Sequence, residues 1–321
     1  MKAIVQDVYG SPDVLQLREV EAPALGLDDV RLRVQAAGVD FGVWHLMTGL
    51  PLIGRLAFGL RKPSNPVRGL EVAGIVESVG ANVKDFKTGD EVFGTCGGSF
   101  AELAIAQART LWVKPKNLSF AQAAAVPISA TTALTAVRAA KVKAGQKVLV
   151  IGAGGGVGSF AVQMAKALGA EVTGVCSTSK LELVRSLGAT HVIDYTREDF
   201  SAGARRYDVI IDTAGNRPLG IIRRALTPTG TFALVGGEGG GRWFGPLGRS
   251  LRAVFAFLFA RQSFKWILGL VNRDDLVELT QLIDSGQVMP SVGTTYSLAQ
   301  APEAIRAMTA GQVRGKAVVV L

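Results

Sequence analysis

An apolar run that stops in a cluster of glycines constrains the fold of this chain more than any other feature. Residues 148–158 read VLVIGAGGGVG, and a helical pattern starts inside the glycines and ends at Gly169. Counted from Ala153, the spacing is A-x-G-x-x-G, the dinucleotide fingerprint with alanine in its first place. Small residues permit the tight turn and the approach of a pyrophosphate, and the helix N-terminus offers N–H groups to the phosphates. The sequence therefore predicts a dinucleotide site on a strand–turn–helix unit, in preference to a plain tight turn.

The strand that follows indicates which dinucleotide is bound. Residues 171–176 form a second β run, which leads into Ser177, Thr178, Ser179 and Lys180 without an acidic residue. NAD sites usually carry Asp or Glu here, about 20 residues past the glycines, to bind the ribose 2′-OH. Hydroxyls and an ammonium suit a 2′-phosphate instead, so the pattern favours NADPH over NADH. The plainer interpretation is that the hydroxyl residues cap the next helix and that Lys180 is solvated. Both interpretations can hold together, because the phosphate would lie at the N-terminus of that helix.

Composition restricts the class of protein and its compartment. The chain has 321 residues, 48% of them hydrophobic, which is enough for two globular domains. Two cysteines, Cys96 and Cys176, cannot form a disulfide framework and fit a reducing compartment. The N-terminus enters a strand pattern directly, without the apolar core of a signal peptide, so we expect a cytoplasmic protein. The net charge of +9 comes without a basic run of five residues or a recognition motif, which argues against nucleic-acid binding.

The order of the elements predicts an α/β fold in two parts. Residues 1–114 read as β-rich, with short apolar runs separated by turn residues. From Ser119, a candidate helix N-cap, β runs alternate with helical segments. These β runs lie at 147–151, 171–176, 190–194, 207–212 and 231–235. The alternation predicts a doubly wound parallel sheet with right-handed crossovers, and the chain ends in two helical segments and a last strand at 316–321.

The segment 242–270 is unusual because aromatic residues interleave with basic ones. They are Trp243, Phe244, Phe255, Phe257, Phe259, Phe264 and Trp266 with Arg249, Arg252, Arg261 and Lys265. Its longest apolar run, 253–260, is far short of the ~20 residues that cross a bilayer. A core helix, a lid over the substrate, a subunit contact and a membrane-surface helix all remain open. Packing within the protein or a dimer is favoured over a membrane role.

Four further motifs extend the evidence beyond the glycine turn. Residues 36–40 read AAGVD, 69–76 GLEVAGIV, 87–94 KTGDEVFG and 188–195 GATHVIDY. Together with the glycine motif and the order of the two parts, they resemble the medium-chain dehydrogenase/reductase superfamily, in particular its zinc-independent, zeta-crystallin-like quinone oxidoreductases. The resemblance covers nearly the whole chain and is weakest at 237–270. It implies a Rossmann domain, a GroES-like β-rich catalytic domain and a cleft between them that holds the nicotinamide.

The resemblance also implies domain boundaries and cofactor contacts. It assigns residues 1–121 to the GroES-like domain, 122–270 to the Rossmann NADP-binding domain and 271–321 to a return to the catalytic domain. Lys180 is expected to meet the 2′-phosphate, Thr131 the nicotinamide and Tyr195 the adenosine end, although Tyr195 also suits a plain strand end. The full set implied at the cofactor is Thr131, Gly154, Gly155, Gly156, Val157, Gly158, Ser177, Thr178, Lys180, Tyr195, Gly236, Gly315 and Lys316.

Two positions depart from the zinc-dependent alcohol dehydrogenases of the same superfamily. Where those enzymes carry a zinc-binding Cys and His, this chain has Asp40 and Leu70, and leucine has no donor atom. A catalytic zinc needs about three protein ligands, and the two histidines, at 45 and 191, lie far apart in the sequence. We therefore expect no metal. Hydride donation to a quinone or enone is then better supported than hydride removal from an alcohol, because such an acceptor delocalises the incoming charge onto its own oxygen.

The resemblance places the acceptor side at Asp40, Trp44 and His45. His45 can donate a hydrogen bond to a carbonyl oxygen or supply a proton near neutral pH, and Trp44 offers a flat face to an aromatic acceptor. The alternative is a structural His45 and a core Trp44. An enoyl-thioester reductase and a non-enzymatic NADPH-binding protein with a crystallin-like, RNA-binding or membrane-associated role also remain open. As partners we expect a small quinone or enone and a second copy of the chain in a homodimer, with no nucleic acid and no membrane span.

Overall fold

Two sheets of different character organise the chain, one mostly antiparallel and the other parallel. The structure is a computed structural model that describes residues 1–236 and 241–321, without the side chain of Pro246. Unit 1 comprises Met1–Thr131, Leu270–Gly286 and Pro290–Leu321. Unit 2 comprises Thr132–Gly269 and Gln287–Met289. The antiparallel sheet lies in unit 1 and the parallel sheet in unit 2.

Strands form the frame of both units. In chain order they are β1 (Lys2–Val5), β2 (Gln16–Glu19), β3 (Asp29–Val39), β4 (Glu71–Val79), β5 (Glu91–Thr95), β6 (Leu103–Gln107), β7 (Leu111–Val113), β8 (Lys147–Ile151), β9 (Glu171–Cys176), β10 (His191–Asp194), β11 (Tyr207–Asp212), β12 (Leu226–Leu234), β13 (Ser263–Trp266), β14 (Val292–Ser297) and β15 (Lys316–Val320).

Helices connect the strands, and two of them begin or end at the predicted signals. They are α1 (Phe41–Thr48), α2 (Arg55–Phe58), α3 (Phe120–Ala124), α4 (Pro127–Ala139), α5 (Gly156–Ala167), α6 (Leu181–Ser186), α7 (Leu219–Ala225), α8 (Pro246–Phe257), α9 (Arg273–Asp284) and α10 (Ala301–Thr309). Ser119 caps α3 in a reciprocal capping box with Gln122. Gly169, with φ +80°, follows the end of α5.

The sheet of unit 1 is built around the long strand β3. Its order is β14-β15-β3-β4-β5-β7, and β6 also pairs with β3. Alternate side chains of β3, Val30, Leu32 and Val34, are buried, as expected of a strand with one face on a core. Strand β15 pairs antiparallel with β3, and Ala317 lies opposite Val39. The end of the chain is thereby brought beside the start of α1.

The sheet of unit 2 is a doubly wound parallel sheet. Its order is β10-β9-β8-β11-β12-β13, with β8 at the start of the unit and the chain winding outward on both sides of it. The order therefore reverses between β8 and β11, and such switch points bind ligands at the carboxyl ends of the strands. Buried aliphatic residues such as Leu149 and Ile210, adjacent in register, fill the centre of the sheet.

The predicted fold class is confirmed, and the differences from the sequence expectations have physical reasons. The β runs at 147–151, 171–176 and 207–212 are β8, β9 and β11 with the same bounds. Strand β14 was missed because most of its residues are exposed and give no apolar alternation. The predicted domain boundaries are 121/122 and 270/271, whereas the two units divide at 131/132, inside α4, and at 269/270. Within the described ranges, none of the helices has both the length and the apolar character needed to cross a bilayer.

Candidate active site

The glycine-rich turn lies at the carboxyl end of β8, and the predicted strand–turn–helix unit is confirmed there. Gly152 has φ +81°, a left-handed conformation that favours glycine. Gly155 is the N-cap of α5, and its N–H donates to the Gly152 carbonyl at 3.0 Å. A Cβ on Gly158 would lie 2.1 Å from the Gly152 oxygen, so helix and turn pack too closely for a side chain. Because the first N–H groups of a helix have no partner within it, this N-terminus is suited to an anion.

Lys180 lies directly against this turn. A Cβ on Gly154 would lie 2.8 Å from both the Cβ and the Cδ of Lys180. The half-buried lysine therefore crosses the glycine with its aliphatic stem. The structure thus brings two of the predicted cofactor residues together. Gly154 supplies backbone without a side chain, and Lys180 supplies an ammonium group.

The hydroxyl residues after β9 do not cap the next helix with their side chains. Ser177 precedes a 3₁₀ turn at Thr178–Lys180 and Lys180 precedes α6, and neither makes a side-chain capping bond. Instead, Thr178 Oγ1 donates to Asp194 Oδ2 at 2.5 Å. The capping alternative is therefore wrong. Ser177 and Ser179, with their hydroxyl oxygens 3.4 Å apart, remain predicted partners of a 2′-phosphate.

Asp194 is the acidic residue that the sequence reasoning did not place at this edge. It ends β10, opposite Cys176 of β9 in register. Its carboxylate accepts from Thr178, from the Thr196 N–H at 3.0 Å and from the Thr196 hydroxyl at 2.7 Å, and Arg197 lies 3.7 Å away. The hydrogen bond from Thr178 is the main reason that the pKa of Asp194 is held below its ordinary value. The acid belongs to the neighbouring strand, so reading along β9 alone does not find it.

The remaining predicted residues of unit 2 follow the neighbouring strands. Tyr195 follows β10 and is half exposed, and the guanidinium carbon of Arg217 lies 5.5 Å from its ring centre. Gly236 follows β12, where a Cβ would lie 2.0 Å from the Thr213 carbonyl oxygen. Arg217 was not predicted, and it adds a second cation at this edge. With the turn and Lys180, these residues form what we call the carboxyl edge of unit 2.

Asp40, Trp44 and His45 come together on α1 in unit 1. Asp40 is the N-cap, and its Oδ1 accepts from the Val43 N–H at 3.1 Å, while Oδ2 is sealed from solvent without a hydrogen-bond partner. The His45 ring packs edge-on against Trp44, with centroids 5.0 Å apart. His45 Nδ1 donates to the Leu50 carbonyl at 2.6 Å. This bond fixes the ring and makes Nε2 the nitrogen suited to proton exchange.

A buried charge cluster adjoins Asp40, and the sequence reasoning did not predict it. Glu71 Oε2 lies 2.5 Å from Lys316 Nζ, and both side chains are buried. Glu71 Oε1 accepts from the Ile128 N–H at 2.8 Å, and Lys316 donates to Ser129 Oγ at 2.9 Å. Burial raises the pKa of Glu71 to about 7, with the Lys316 ammonium opposing the rise and the Asp40 carboxylate adding to it. We call Asp40, Glu71, Ser129 and Lys316 the acid cluster.

The sixteen predicted site residues therefore fall into two sets. The structure brings ten of them together at the carboxyl edge of unit 2: Gly154, Gly155, Gly156, Val157, Gly158, Ser177, Thr178, Lys180, Tyr195 and Gly236. The six in unit 1 are Asp40, Trp44, His45, Thr131, Gly315 and Lys316. Thr131 is fully buried, and Gly315, with φ +70°, packs closely against the Ser291 carbonyl.

A small pocket of about 70 Å³ in unit 1 adjoins α1. Its lining includes Leu46, Phe58, Arg68, Leu70 and Gly97, and it contains no acidic residue. Burial lowers the pKa of Arg68 to about 10. Because small-molecule sites usually occupy ~300–1,000 Å³, this pocket has room for only part of a quinone or enone.

The described part of the chain contains no group of three or more His, Cys, Asp and Glu side chains arranged to hold a metal ion. Leu70, at the position of the family's zinc-binding histidine, lines the small pocket. Cys96 is buried, and burial raises its pKa to about 12, which keeps it a thiol.

Three family models match the chain, and the second and third overlap at residues 187–218. "Alcohol dehydrogenase GroES-like domain" matches residues 26–116. "Alanine dehydrogenase/PNT, C-terminal domain" matches residues 121–218, and "Zinc-binding dehydrogenase" matches residues 187–319. The predicted GroES-like part is thereby confirmed.

Similarity to individual proteins extends over both units. The chain is 32% identical to the chloroplastic NADPH-dependent alkenal/one oxidoreductase of Arabidopsis thaliana, over 99% of this chain and 79% of that protein. It is 33% identical to the quinone oxidoreductase of Rattus norvegicus, over 95% of this chain and 92% of that protein. Among solved structures, the Escherichia coli quinone oxidoreductase complexed with NADPH has a TM-score of 0.85 at 26% identity, covering 100% of both chains.

Proposed function

Because the chain belongs to the medium-chain dehydrogenase/reductase superfamily, on its quinone oxidoreductase branch, we propose that it uses NADPH to reduce quinones and α,β-unsaturated carbonyl compounds. The chain is an oxidoreductase with a pyridine nucleotide cofactor. The choice of acceptor and of NADPH is the proposal. The observation that carries it is the contact between Lys180 and Gly154 at the end of β8.

The carboxyl edge of unit 2 has the chemistry that NADPH requires. Gly155, where a Cβ would meet only the Gly152 carbonyl oxygen, and the first N–H groups of α5 receive the pyrophosphate. The stem of Lys180 lies over the neighbouring Gly154. Lys180 provides the charge for the 2′-phosphate, and Ser177 and Ser179 provide hydroxyl donors. The Asp194 carboxylate already accepts from Thr178 and Thr196 and faces Arg197, so a ribose hydroxyl would compete with these partners. NADPH, when bound, supplies the hydride.

The residues of α1 provide the acceptor side of the reaction. Trp44 offers an aromatic face for a flat conjugated acceptor. His45, held by the Leu50 carbonyl through Nδ1–H, donates from Nε2 to the acceptor oxygen and delivers a proton there as the imidazolium, because the neutral ring carries its one hydrogen on Nδ1. A hydrogen bond to that oxygen stabilises the charge that develops as the carbon is reduced. The acceptor therefore needs a polarised, conjugated carbonyl.

A panel of acceptors with NADPH tests the proposal. The purified protein is assayed with a quinone, an enone, an enoyl thioester and, in the reverse direction, a simple alcohol with NADP⁺. We expect turnover of the quinone and the enone, and deuterium from 4-deuterated NADPH on the carbon of the reduced enone. Tight NADPH binding without turnover of any acceptor would identify a binding protein instead. A clear preference for the enoyl thioester would identify a thioester reductase.

The oligomeric state and the cellular location of the protein are part of the same proposal. We infer a homodimer, supported by the sheet edge at β13, which pairs only with β12 among the described strands. A free sheet edge favours pairing with another chain. We also infer a cytoplasmic location, supported by Cys96 and Cys176, which are both free and buried. Light scattering on the purified protein and fractionation of its source cells test these two statements.

A further inference from the structure

Helix α8 presents an apolar stripe away from the core of unit 2. Its inner side buries Ser250, Ala253 and Phe257, and Phe257 packs on Phe232 and Phe264 of the sheet, with ring centroids 5.8 and 5.9 Å apart. Its outer side exposes Leu251, Val254, Phe255 and Leu258, spaced i, i+3, i+4 and i+7. Phe255 is 72% exposed and Phe259, just past the helix, is 96% exposed. The expected packing within the protein therefore accounts for one side of the helix only.

The charge of this part of the chain is one-sided. Residues 213–269 contain seven arginines and one lysine but a single acid, Glu238, so they carry a net charge of +7 out of the chain's +9. Of these cations, the described residues pair only Arg249 with a carboxylate, that of Asp212 at 3.3 Å. Arg217 is partly buried, and the remaining cations are exposed on the surface of unit 2: Arg223, Arg224, Arg242, Arg252, Arg261 and Lys265.

The basic and apolar groups occupy the same surface. Phe259 lines an open groove together with Arg223, Arg224 and Arg261, and no acidic residue lines it. Arg252 lies on α8 itself, next to the exposed Leu251. We call the exposed stripe of α8, Phe259 and these four arginines the α8 face. It combines large apolar side chains with unpaired cations, the composition of helices that lie in the interface of an anionic membrane.

We propose that the α8 face binds the surface of anionic phospholipid membranes, as a peripheral contact without a membrane span. A second copy of this chain is the other candidate for an apolar face. An isologous contact through the same face would bring Arg252 and Arg261 of one copy against those of the other, without acids to compensate them. An anionic bilayer offers an apolar interior and a negative surface together. The α8 face lies next to the proposed dimer edge, since Arg261 is two residues before β13 and Phe257 of α8 packs on Phe264 of that strand. The inference does not depend on the proposed function.

Sedimentation with vesicles tests the proposal on the full-length protein. Phosphatidylcholine vesicles containing about 30% phosphatidylserine are compared with pure phosphatidylcholine vesicles, at about 0.05 M and about 0.5 M salt. We expect at least ~10-fold stronger partitioning onto the anionic vesicles at low salt, most of it lost at high salt. Hydrogen exchange of the bound protein should show new protection within residues 247–261.

Matched variants assign the binding to the α8 face. We expect F255Q/F259Q to lower partitioning at least ~10-fold and R252Q/R261Q to lower it several-fold and flatten its salt dependence. L27Q and R109Q, which change an exposed leucine and an exposed arginine of unit 1, should bind like wild type. Unchanged thermal stability and NADPH affinity in all four establish that they are folded.

Three results would overturn the proposal. The first is a lack of binding to anionic vesicles at low salt. The second is wild-type binding by folded F255Q/F259Q. The third is a fall in the solution mass of F255Q/F259Q in the absence of vesicles, which would identify a second copy of the chain as the occupant of this face.

Discussion

Two lysines that the family resemblance assigns to the cofactor lie in opposite surroundings. Lys180 in unit 2 is half-buried, and its stem crosses the bare backbone of Gly154. Lys316 in unit 1 is buried, with its ammonium 2.5 Å from Glu71 and hydrogen-bonded to Ser129. The Lys316 ammonium lies against the buried Glu71 carboxylate, whereas Lys180 lies at the glycine-rich turn that we propose as the pyrophosphate site. Lys180 therefore remains the proposed partner of the 2′-phosphate, and the assignment of Lys316 to the cofactor stays a prediction.

The same contrast separates the two sets of site residues. The carboxyl edge of unit 2 relies on backbone N–H groups and surface cations, which suit a multiply charged dinucleotide. The acid cluster of unit 1 buries two carboxylates with one ammonium, an arrangement in which each charge is costly without its partner. Substitutions at the edge should thus change cofactor affinity, and substitutions in or beside the cluster should change stability or turnover.

The largest effect is expected from Lys316→Met. It leaves the buried carboxylate of Glu71 beside Asp40 without a cation, and removing one partner of a buried pair costs ~3–5 kcal/mol. We expect a loss of this size in the free energy of unfolding, measured by urea at pH 8. The matched control is E71Q/K316M, which removes both charges and should recover most of the loss. If the double variant is as stable as wild type but has lost NADPH affinity, Lys316 binds the cofactor, and the contrast with Lys180 is wrong.

The pH dependence of this cluster has a definite sign. The pKa of Glu71 is raised by burial from 4.5 to about 7, so between these values the folded state binds more protons than the unfolded state. This contribution to stability is fully present below pH 4.5 and is lost as the pH rises to about 7. In Lys316→Met the deficit should therefore shrink as the pH falls, because a protonated Glu71 needs no counter-ion. A deficit that does not change between pH 5 and pH 8 would contradict this origin.

The next largest effect is expected from His45→Ala, on turnover. Losing a hydrogen-bond donor to a developing oxyanion commonly costs ~10²–10³ in rate. NADPH affinity should stay within about two-fold, because His45 is proposed to contact the acceptor rather than the cofactor. His45→Asn is the control, since its amide can still donate to the Leu50 carbonyl but cannot supply a proton near neutral pH. Steady-state kinetics with an enone measure both. If His45→Asn is as active as wild type, the role of His45 is structural rather than catalytic.

Lys180→Ala should change cofactor preference by a smaller amount. Wild type is expected to bind NADPH at least ~10-fold more tightly than NADH, about 1.4 kcal/mol. Removing the ammonium should bring the two dissociation constants close together by weakening NADPH alone. Lys143→Ala is the control, since Lys143 is an exposed cation that precedes β8, away from its carboxyl end. Equal dissociation constants in wild type would refute the assignment of the 2′-phosphate to this edge.

How far the sequence predicts the site depends on how local its chemistry is. The glycine turn and Lys180 were predictable because they follow two successive strands of one parallel sheet. The acid cluster was not, because Asp40, Glu71, Ser129 and Lys316 meet only through the pairing of β15 with β3 and the packing of α4's first turn. Asp40 and Lys316 were expected at the acceptor and the cofactor rather than with each other, and Glu71 and Ser129 look ordinary in their own segments. The α8 face was flagged by composition, but which side of the helix is buried followed only from the structure.

Removal of metal is expected to have no effect on the rate of enone reduction. Asp40 and Leu70 stand where the zinc-dependent relatives carry ligands, and the leucine side chain cannot coordinate an ion. The positive charge beside Asp40 and Glu71 is supplied by the chain itself, through Lys316. We therefore expect EDTA to leave the rate of enone reduction unchanged and elemental analysis to find far less than one zinc per chain. The K316M variant extends this test, because it leaves the Asp40 and Glu71 carboxylates without a cation. Two carboxylates are still fewer than the roughly three protein ligands that zinc requires, so we expect no zinc in this variant either. About one zinc per chain in the wild-type protein, with activity lost to chelators and restored by zinc, would show that a metal rather than Lys316 balances the acid cluster.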